Sequence, residues 1–167
     1  MDIELLKKIL MDNRRMISRI EFIKRDIILE DGLNYVFVGL RQAGKSFLMY
    51  QRIHQLLESG HSIDEIVYLN LDDERLFGMT VDDLDLILQA HYQLNDCTPV
   101  LFLDEIQNID HWEHFARRLA NEKYRVYITG SNAKMLSSEV ATTLGGRYMI
   151  QEVYPYSLVE YLRANGL

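Results

Sequence analysis

The run Gly39-Leu40-Arg41-Gln42-Ala43-Gly44-Lys45-Ser46 satisfies the spacing G-x-x-x-x-G-K-[ST] at every fixed position. That spacing suits one kind of chemistry. Its glycines let the backbone curl so that successive N–H groups converge on phosphate oxygens. The helix that follows adds the partial positive charge of its N-terminus. Lys45 is then placed to reach β- and γ-phosphates, and the Ser46 hydroxyl to ligate Mg²⁺. The expected ligand is ATP or ADP with Mg²⁺, held by Gly39, Leu40, Arg41, Gln42, Ala43, Gly44, Lys45, Ser46 and Phe47. The competing explanation is a Gly-rich turn that only caps a helix. Chance should produce the four fixed positions in on the order of one chain in a hundred or fewer.

A second constellation lies at Val100-Leu101-Phe102-Leu103-Asp104-Glu105, four apolar residues closed by two carboxylates. An apolar strand between two layers exposes such acids where it emerges, at the ligand edge of an open α/β sheet. Asp104 is expected to hold Mg²⁺ together with Ser46, and Glu105 to orient the water that attacks the γ-phosphate. Two solvated acids in a turn would be the bland alternative. A glutamate directly after the metal-binding aspartate points to ATP hydrolysis by the additional-strand group of phosphate-loop proteins. It argues against GTPases and nucleotide kinases, and no N-K-x-D guanine motif is present.

That group implies a sheet order of fifth, first, fourth, third, second strand. The fourth strand then ends beside the γ-phosphate, in Ile128-Thr129-Gly130-Ser131-Asn132. Ser131 is the first choice for a residue that senses the phosphate, and Asn132 the second; a helix N-cap is the competing role for Ser131. Arg147, after Leu144-Gly145-Gly146, reads as an arginine finger acting in cis or from a neighbouring subunit, or else as a salt-bridged strand residue. Arg41 lies too early in the loop for more than a surface contact.

These residues need a scaffold, and the hydrophobic pattern supplies one. Residues 3–25 read as one or two helices, with Met16, Ile20, Ile23 and Ile27 as an apolar face. Tyr35 to Val38 is a short apolar run that enters the phosphate loop, and a helix is expected from Lys45 to Glu58. Further strands are expected at Ile66 to Leu71, Val100 to Leu103, Arg125 to Thr129 and Arg147 to Val153. Helices are expected from Val81 to Leu94, with Leu84, Leu88 and Tyr92 on one face, from Trp112 to Asn121, and from Tyr156 to Arg163. The alternation predicts a three-layer α/β sandwich with a five-stranded, mainly parallel sheet and an N-terminal helical extension.

The 167 residues suit one domain. With 48% hydrophobic and 26% charged residues, disordered and collagen-like classes are excluded. The single cysteine, Cys97, excludes an intrachain disulfide and is read as structural. No apolar run is long enough for a membrane span, and the N-terminus lacks the order of a secretory signal, so a cytoplasmic location is expected. The net charge of −7 argues against a dedicated nucleic-acid clamp. Residues 1–25 nevertheless carry a surplus of three positive charges. A solvated helix face explains that surplus best; a docking surface for a protein or nucleic acid is the alternative. His111 and His114 could face one metal, but no third ligand accompanies them at a suitable spacing, so a surface or capping role is expected. Asp72, Asp73 and Glu74 are expected at a helix start, with a lesser claim on the ligand edge.

Taken together, GLRQAGKS, YLNLDDERL, LFLDEIQNI followed by Trp112, and ITGSNAKML followed by LGGRY resemble the prokaryotic AAA-type ATPases. The resemblance runs from about Phe22 to the end and is closest to members that carry a C-terminal domain of nuclease-like or winged-helix character. It implies ATP binding and hydrolysis coupled to another domain or a protein partner, in a core that often forms rings. It divides the chain into a helical segment at 1–25, an ATPase core at 26–153, and residues 154–167 as the start of a truncated C-terminal region. A helical lid that would complete the adenine pocket is at most begun. The other functional class is a nucleotide-dependent switch that binds ATP or ADP with negligible turnover alone.

Overall fold

The computed structural model describes residues 1–131, 135 and 138–166, with 138 and 139 as backbone only. Five strands form one sheet: β1 (Tyr35–Val38), β2 (Ile66–Asn70), β3 (Val100–Asp104), β4 (Arg125–Gly130) and β5 (Met149–Glu152). The order is β2-β3-β4-β1-β5, and every pairing is parallel. This is the order expected from the paired acids, with β4 between the strand that feeds the phosphate loop and the strand that carries Asp104.

The two-residue period of the strands sorts their side chains into two cores. Val36, Val38, Val67, Leu69, Leu101, Leu103, Val126 and Ile128 face one side. They pack against α1 (Ile3–Arg19), α3 (Asp85–Leu94), α4 (Trp112–Asn121) and α5 (Ser138–Leu144). Tyr35, Phe37, Tyr68, Phe102 and Tyr127 face the other side, under α2 (Lys45–Glu58). Phe102 and Tyr127 stack with ring centroids 4.7 Å apart. Both faces of the sheet are therefore covered, as an all-parallel sheet requires.

Helix α1 protects the free edge of β2. Asn13 Nδ2 donates to the Tyr68 carbonyl at 2.8 Å, and Arg14 Nε to the Ile66 carbonyl at 3.0 Å. Edge carbonyls that would otherwise recruit another strand are thereby satisfied. The buried face of α1 is Leu6, Ile9, Leu10, Arg14 and Ile17. The face expected through Met16, Ile20, Ile23 and Ile27 is not formed, because the helix stops at Ile20, which is extended, and Met16 is exposed. Gln51 explains the extended path beyond it: its carboxamide accepts from the Arg25 N–H at 2.7 Å and donates to the Arg25 carbonyl at 3.1 Å.

Several boundaries differ from expectation: β2 ends one residue early, at Asn70, and β3 and β4 each run one residue further, to Asp104 and Gly130. A capping box of Thr80 and Asp83 closes a 3₁₀ turn at Val81–Asp83, so α3 begins at Asp85, and Tyr92 is exposed. Strand β5 is shorter than expected. The last helix, α6 (Leu158–Ala164), starts after Ser157, which forms a second capping box with Glu160. No helix among the described residues is long and apolar enough to cross a membrane.

Candidate functional site

The C-terminal ends of β1, β3 and β4 meet at one sheet edge. The chain leaves β1 at Gly39, which packs directly against the Val153 carbonyl and has no room for a Cβ. Gln42 and Gly44 take positive φ, 63° and 91°, which curls the loop back on itself before α2 begins. Lys45, the first residue of α2, is buried under its own loop. Its Nζ donates to the Gly39 carbonyl at 2.8 Å and to the Gly130 carbonyl at 3.1 Å, and stands 3.6 Å from Glu105 Oε1.

Ser46 Oγ donates to Asp104 Oδ2 at 2.6 Å. Asp104 is fully buried and accepts from two more hydroxyls, Tyr68 at 2.5 Å and Thr129 at 2.5 Å. Burial first, then the neighbouring Asp104 carboxylate, pushes the Tyr68 phenol far up, so it stays a donor. Thr129 binds both acids: its hydroxyl donates to Asp104 and accepts the Glu105 N–H at 2.9 Å. Glu105 leaves the strand with φ 55°, a left-handed turn that breaks the alternation of β3. Its Oε2 accepts from Gln107 Nε2 at 2.5 Å. The Gln107 Oε1 is buried with no partner, a buried orphan among the described residues.

A cleft of about 280 Å³ opens over these groups, lined by Arg41, Gln42, Gly44, Lys45, Ser46, Phe47, Asn70, Asp72 and Glu105. Ser46 and Asp104 offer hard oxygen donors at adjacent positions, the donor chemistry that Mg²⁺ prefers. The loop backbone, with Lys45 beneath it, offers a cationic cradle for phosphate.

Of the other expected residues, Leu40 is exposed, Ala43 is buried, and Ser131 follows Gly130 at the same edge without lining the cleft. Asn132 lies outside the described residues. Arg147 is not brought to this edge. It precedes β5, beside the start of β1, and its Nε donates to Asn121 Oδ1 at 2.7 Å. The full length of β1, roughly 13 Å at about 3.3 Å per residue, separates that end of the sheet from the phosphate loop. Asp73 caps the short turn after β2, as expected, whereas Asp72 and Asn70 line the cleft.

Sequence reasoning assigned no role to Tyr68, Thr129, Gln107 or Arg25. The Arg25 guanidinium is buried against the phosphate loop. It donates to the Ala43 carbonyl at 2.9 Å, to Glu160 Oε2 at 3.0 Å and to the Tyr154 carbonyl at 2.6 Å, and lies 4.5 Å over the Tyr156 ring. Nothing in the sequence pairs residues 135 positions apart. Gln107 was nearer to legible, two residues beyond Glu105, but its reach depends on the left-handed turn.

The family model described as an AAA domain matches residues 33–162. An uncharacterized protein of Methanocaldococcus jannaschii is 35% identical over 161 residues, which is 95% of this chain and 35% of that protein. The chain thus spans about a third of the length of that curated relative. A DNA polymerase III gamma subunit-related protein of Thermotoga maritima superposes with a TM-score of 0.57 at 10% identity, over 93% of this chain and 49% of its own. DnaA of Aquifex aeolicus bound to AMPPCP gives 0.52 at 16% identity, over 88% and 58%. At these identities the two structures speak to the fold alone.

Proposed function

The chain belongs to the AAA-domain family, and from that premise we propose that it binds ATP with Mg²⁺ and hydrolyses it at the edge formed by β1, β3 and β4. The observation that carries this reading is the Ser46–Asp104 hydrogen bond of 2.6 Å, beside Lys45 and Glu105 at 3.6 Å. It joins four residues from two distant segments, which supports a role for them in phosphoryl transfer.

In this reading Lys45 exchanges its two carbonyl partners for phosphate oxygens. Ser46 and Asp104 would hold the Mg²⁺, which would neutralise charge on the phosphates. Glu105, turned out of its strand, orients a water toward the γ-phosphate, and Gln107 fixes the rotation of that carboxylate. Thr129 keeps the two acids in register. Tyr68 stays protonated and so donates to Asp104 whatever else that carboxylate binds. Ser131 is proposed as a secondary contact to the phosphate. Arg147, at the far end of the sheet, is proposed to act toward a neighbouring copy. Coupling to a further domain or a protein partner, and the division at residues 25 and 153, belong to the same proposal.

The test is calorimetric titration of ATP and ADP with and without Mg²⁺, followed by phosphate release. Lys45→Ala is expected to abolish binding. Glu105→Gln is expected to bind and lose turnover; a Glu105→Gln protein with wild-type turnover would remove Glu105 from the mechanism.

A further inference from the structure

His111, Glu113 and His114 stand at the start of α4, and their ligand atoms all lie within 4.8 Å of one another. We propose that they form a binding site for a first-row divalent transition cation of the Zn²⁺ class, distinct from the all-oxygen pair of Ser46 and Asp104. The proposal does not depend on the nucleotide reading.

The local backbone explains the convergence. His111 is the N-cap of α4 and takes φ 65°, in the left-handed region. That conformation starts the helix abruptly and leaves the His111 ring beside the first turn. His114 is three residues on, on the same face, and the two rings sit 6.3 Å apart, tilted by 41°. Both imidazoles reach solvent, so a cation can enter.

Glu113 carries the argument further. Its side chain is only 8% exposed, yet among the described residues its carboxylate accepts no hydrogen bond, and His114 Nε2 stands 4.0 Å from Glu113 Oε1. The Glu113 oxygens are not sealed from solvent: among the described residues only Gln107 Oε1 is a fully buried side-chain atom without a partner. The helix N-terminus favours negative charge there, but it supplies no donor to these oxygens. They are therefore open to a cation shared with the two imidazoles. Glu113 and His111 also line a cavity of about 280 Å³.

The donor chemistry sets the class of ion. Two imidazole nitrogens and one carboxylate suit Zn²⁺, Co²⁺ or Ni²⁺ rather than Mg²⁺ or Ca²⁺, which take oxygen. Zn–N and Zn–O bonds of about 2.0–2.1 Å in a tetrahedron put ligand atoms about 3.4 Å apart. Reaching that spacing from 4.8 Å draws the ligand atoms together by about 1.4 Å. Three protein ligands leave at least one position for water.

The experiment uses the untagged chain in excess Mg²⁺, so that oxygen-only sites are filled. Zn²⁺ is titrated by calorimetry and Co²⁺ by visible absorption, which reports low coordination number directly. One ion per chain is expected. His114→Ala and Glu113→Gln should each weaken it by about tenfold to a hundredfold or more, by analogy with the loss from even outer-shell changes. His111→Ala would strain the left-handed N-cap, so His111→Asn is used, since Asn accepts that conformation while removing the imidazole. Far-ultraviolet circular dichroism confirms that each variant is folded. Absence of saturable Zn²⁺ binding by the folded wild type would overturn the proposal. So would wild-type affinity in the folded His111→Asn/His114→Ala double variant, which would move the ion to other histidines.

Discussion

Gln107 donates its amide nitrogen to Glu105 at 2.5 Å while its own oxygen is buried without a partner. The side chain thus bears the cost of an unsatisfied acceptor in order to hold a carboxylate that overlooks the cleft. Such a cost is of the order of 1–3 kcal/mol. Gln107→Leu removes the orphan and the hold together. Folding stability is therefore expected to change by less than about 1 kcal/mol, because the two effects oppose one another. Turnover is expected to fall about tenfold, equivalent to about 1.4 kcal/mol, with ATP affinity unchanged. Urea unfolding, calorimetry and phosphate release check the three parts. A loss of stability equal to the loss of activity would show that Gln107 only supports the fold.

The contact between Ser46 and Asp104 makes a second prediction. If these oxygens hold Mg²⁺, Asp104→Asn should retain ATP affinity in EDTA and lose the gain that Mg²⁺ brings, leaving less than about a twofold effect of the ion. Wild type measured in parallel supplies the comparison. A persistent Mg²⁺ effect in the variant would place the ion elsewhere.

Arg25 and Glu160 tie the segment before β1 to the last helix across the back of the phosphate loop. The pair is almost wholly buried. Burial alone would raise the Glu160 carboxyl, but the Ser157 and Asp26 amides and Arg25 outweigh it and leave it below the usual carboxylate range. Arg25→Ala leaves a buried acid without its cation and is expected to cost about 3–5 kcal/mol. Glu160→Gln keeps a hydrogen-bonding group and should cost less. The double variant should be milder than the sum, since neither charge is then orphaned. Urea midpoints on the three variants test this.

His91 supplies a pH dependence. It is fully buried, with Nε2 donating to the Cys97 carbonyl at 2.7 Å and Nδ1 facing Arg14 at 3.4 Å. Burial first, and then Arg14, hold it below the ordinary imidazole value; the Cys97 carbonyl and Asp64 oppose them without prevailing. The unfolded chain therefore binds a proton that the folded chain refuses. Stability from this group is complete above about pH 6.5 and is lost progressively as pH falls below it. Urea midpoints at about pH 7.5 and about pH 5.5 should differ in wild type, and less so in His91→Gln. An equal difference in both proteins would assign the effect to other groups.

The legible parts of this molecule are local. The apolar run 35–38, the loop spacing and the acids after Leu103 each occupy a few consecutive residues, and a parallel strand order follows from them because β4 must separate the loop from the second acid. The long helices α2 and α4 were readable to the residue, since each has an uninterrupted amphipathic period and a clear stop. Residues 20–25 misled because the apolar spacing of Met16, Ile20, Ile23 and Ile27 mimics a helix face, whereas Gln51 holds Arg25 in an extended path from 26 positions away. The third ligand beside His111 and His114 was missed for a related reason. Glu113 is adjacent in sequence, but whether its carboxylate turns toward the imidazoles depends on the left-handed cap at His111.

By itself the chain's order of residue types determined where phosphate is expected to lie, which strands flank it and which side chains are chemically able to act there. These depend on backbone curl, strand period and charge, all of which are short-range. Only the tertiary structure decided that Thr129 joins the two acids, that Arg25 braces the loop through Glu160, and that Arg147 stands at the opposite edge. Those relations depend on strand register and on which buried polar groups find partners. Each is settled by the packing of segments far apart in the chain, where hydrogen bonds must be closed because water is absent.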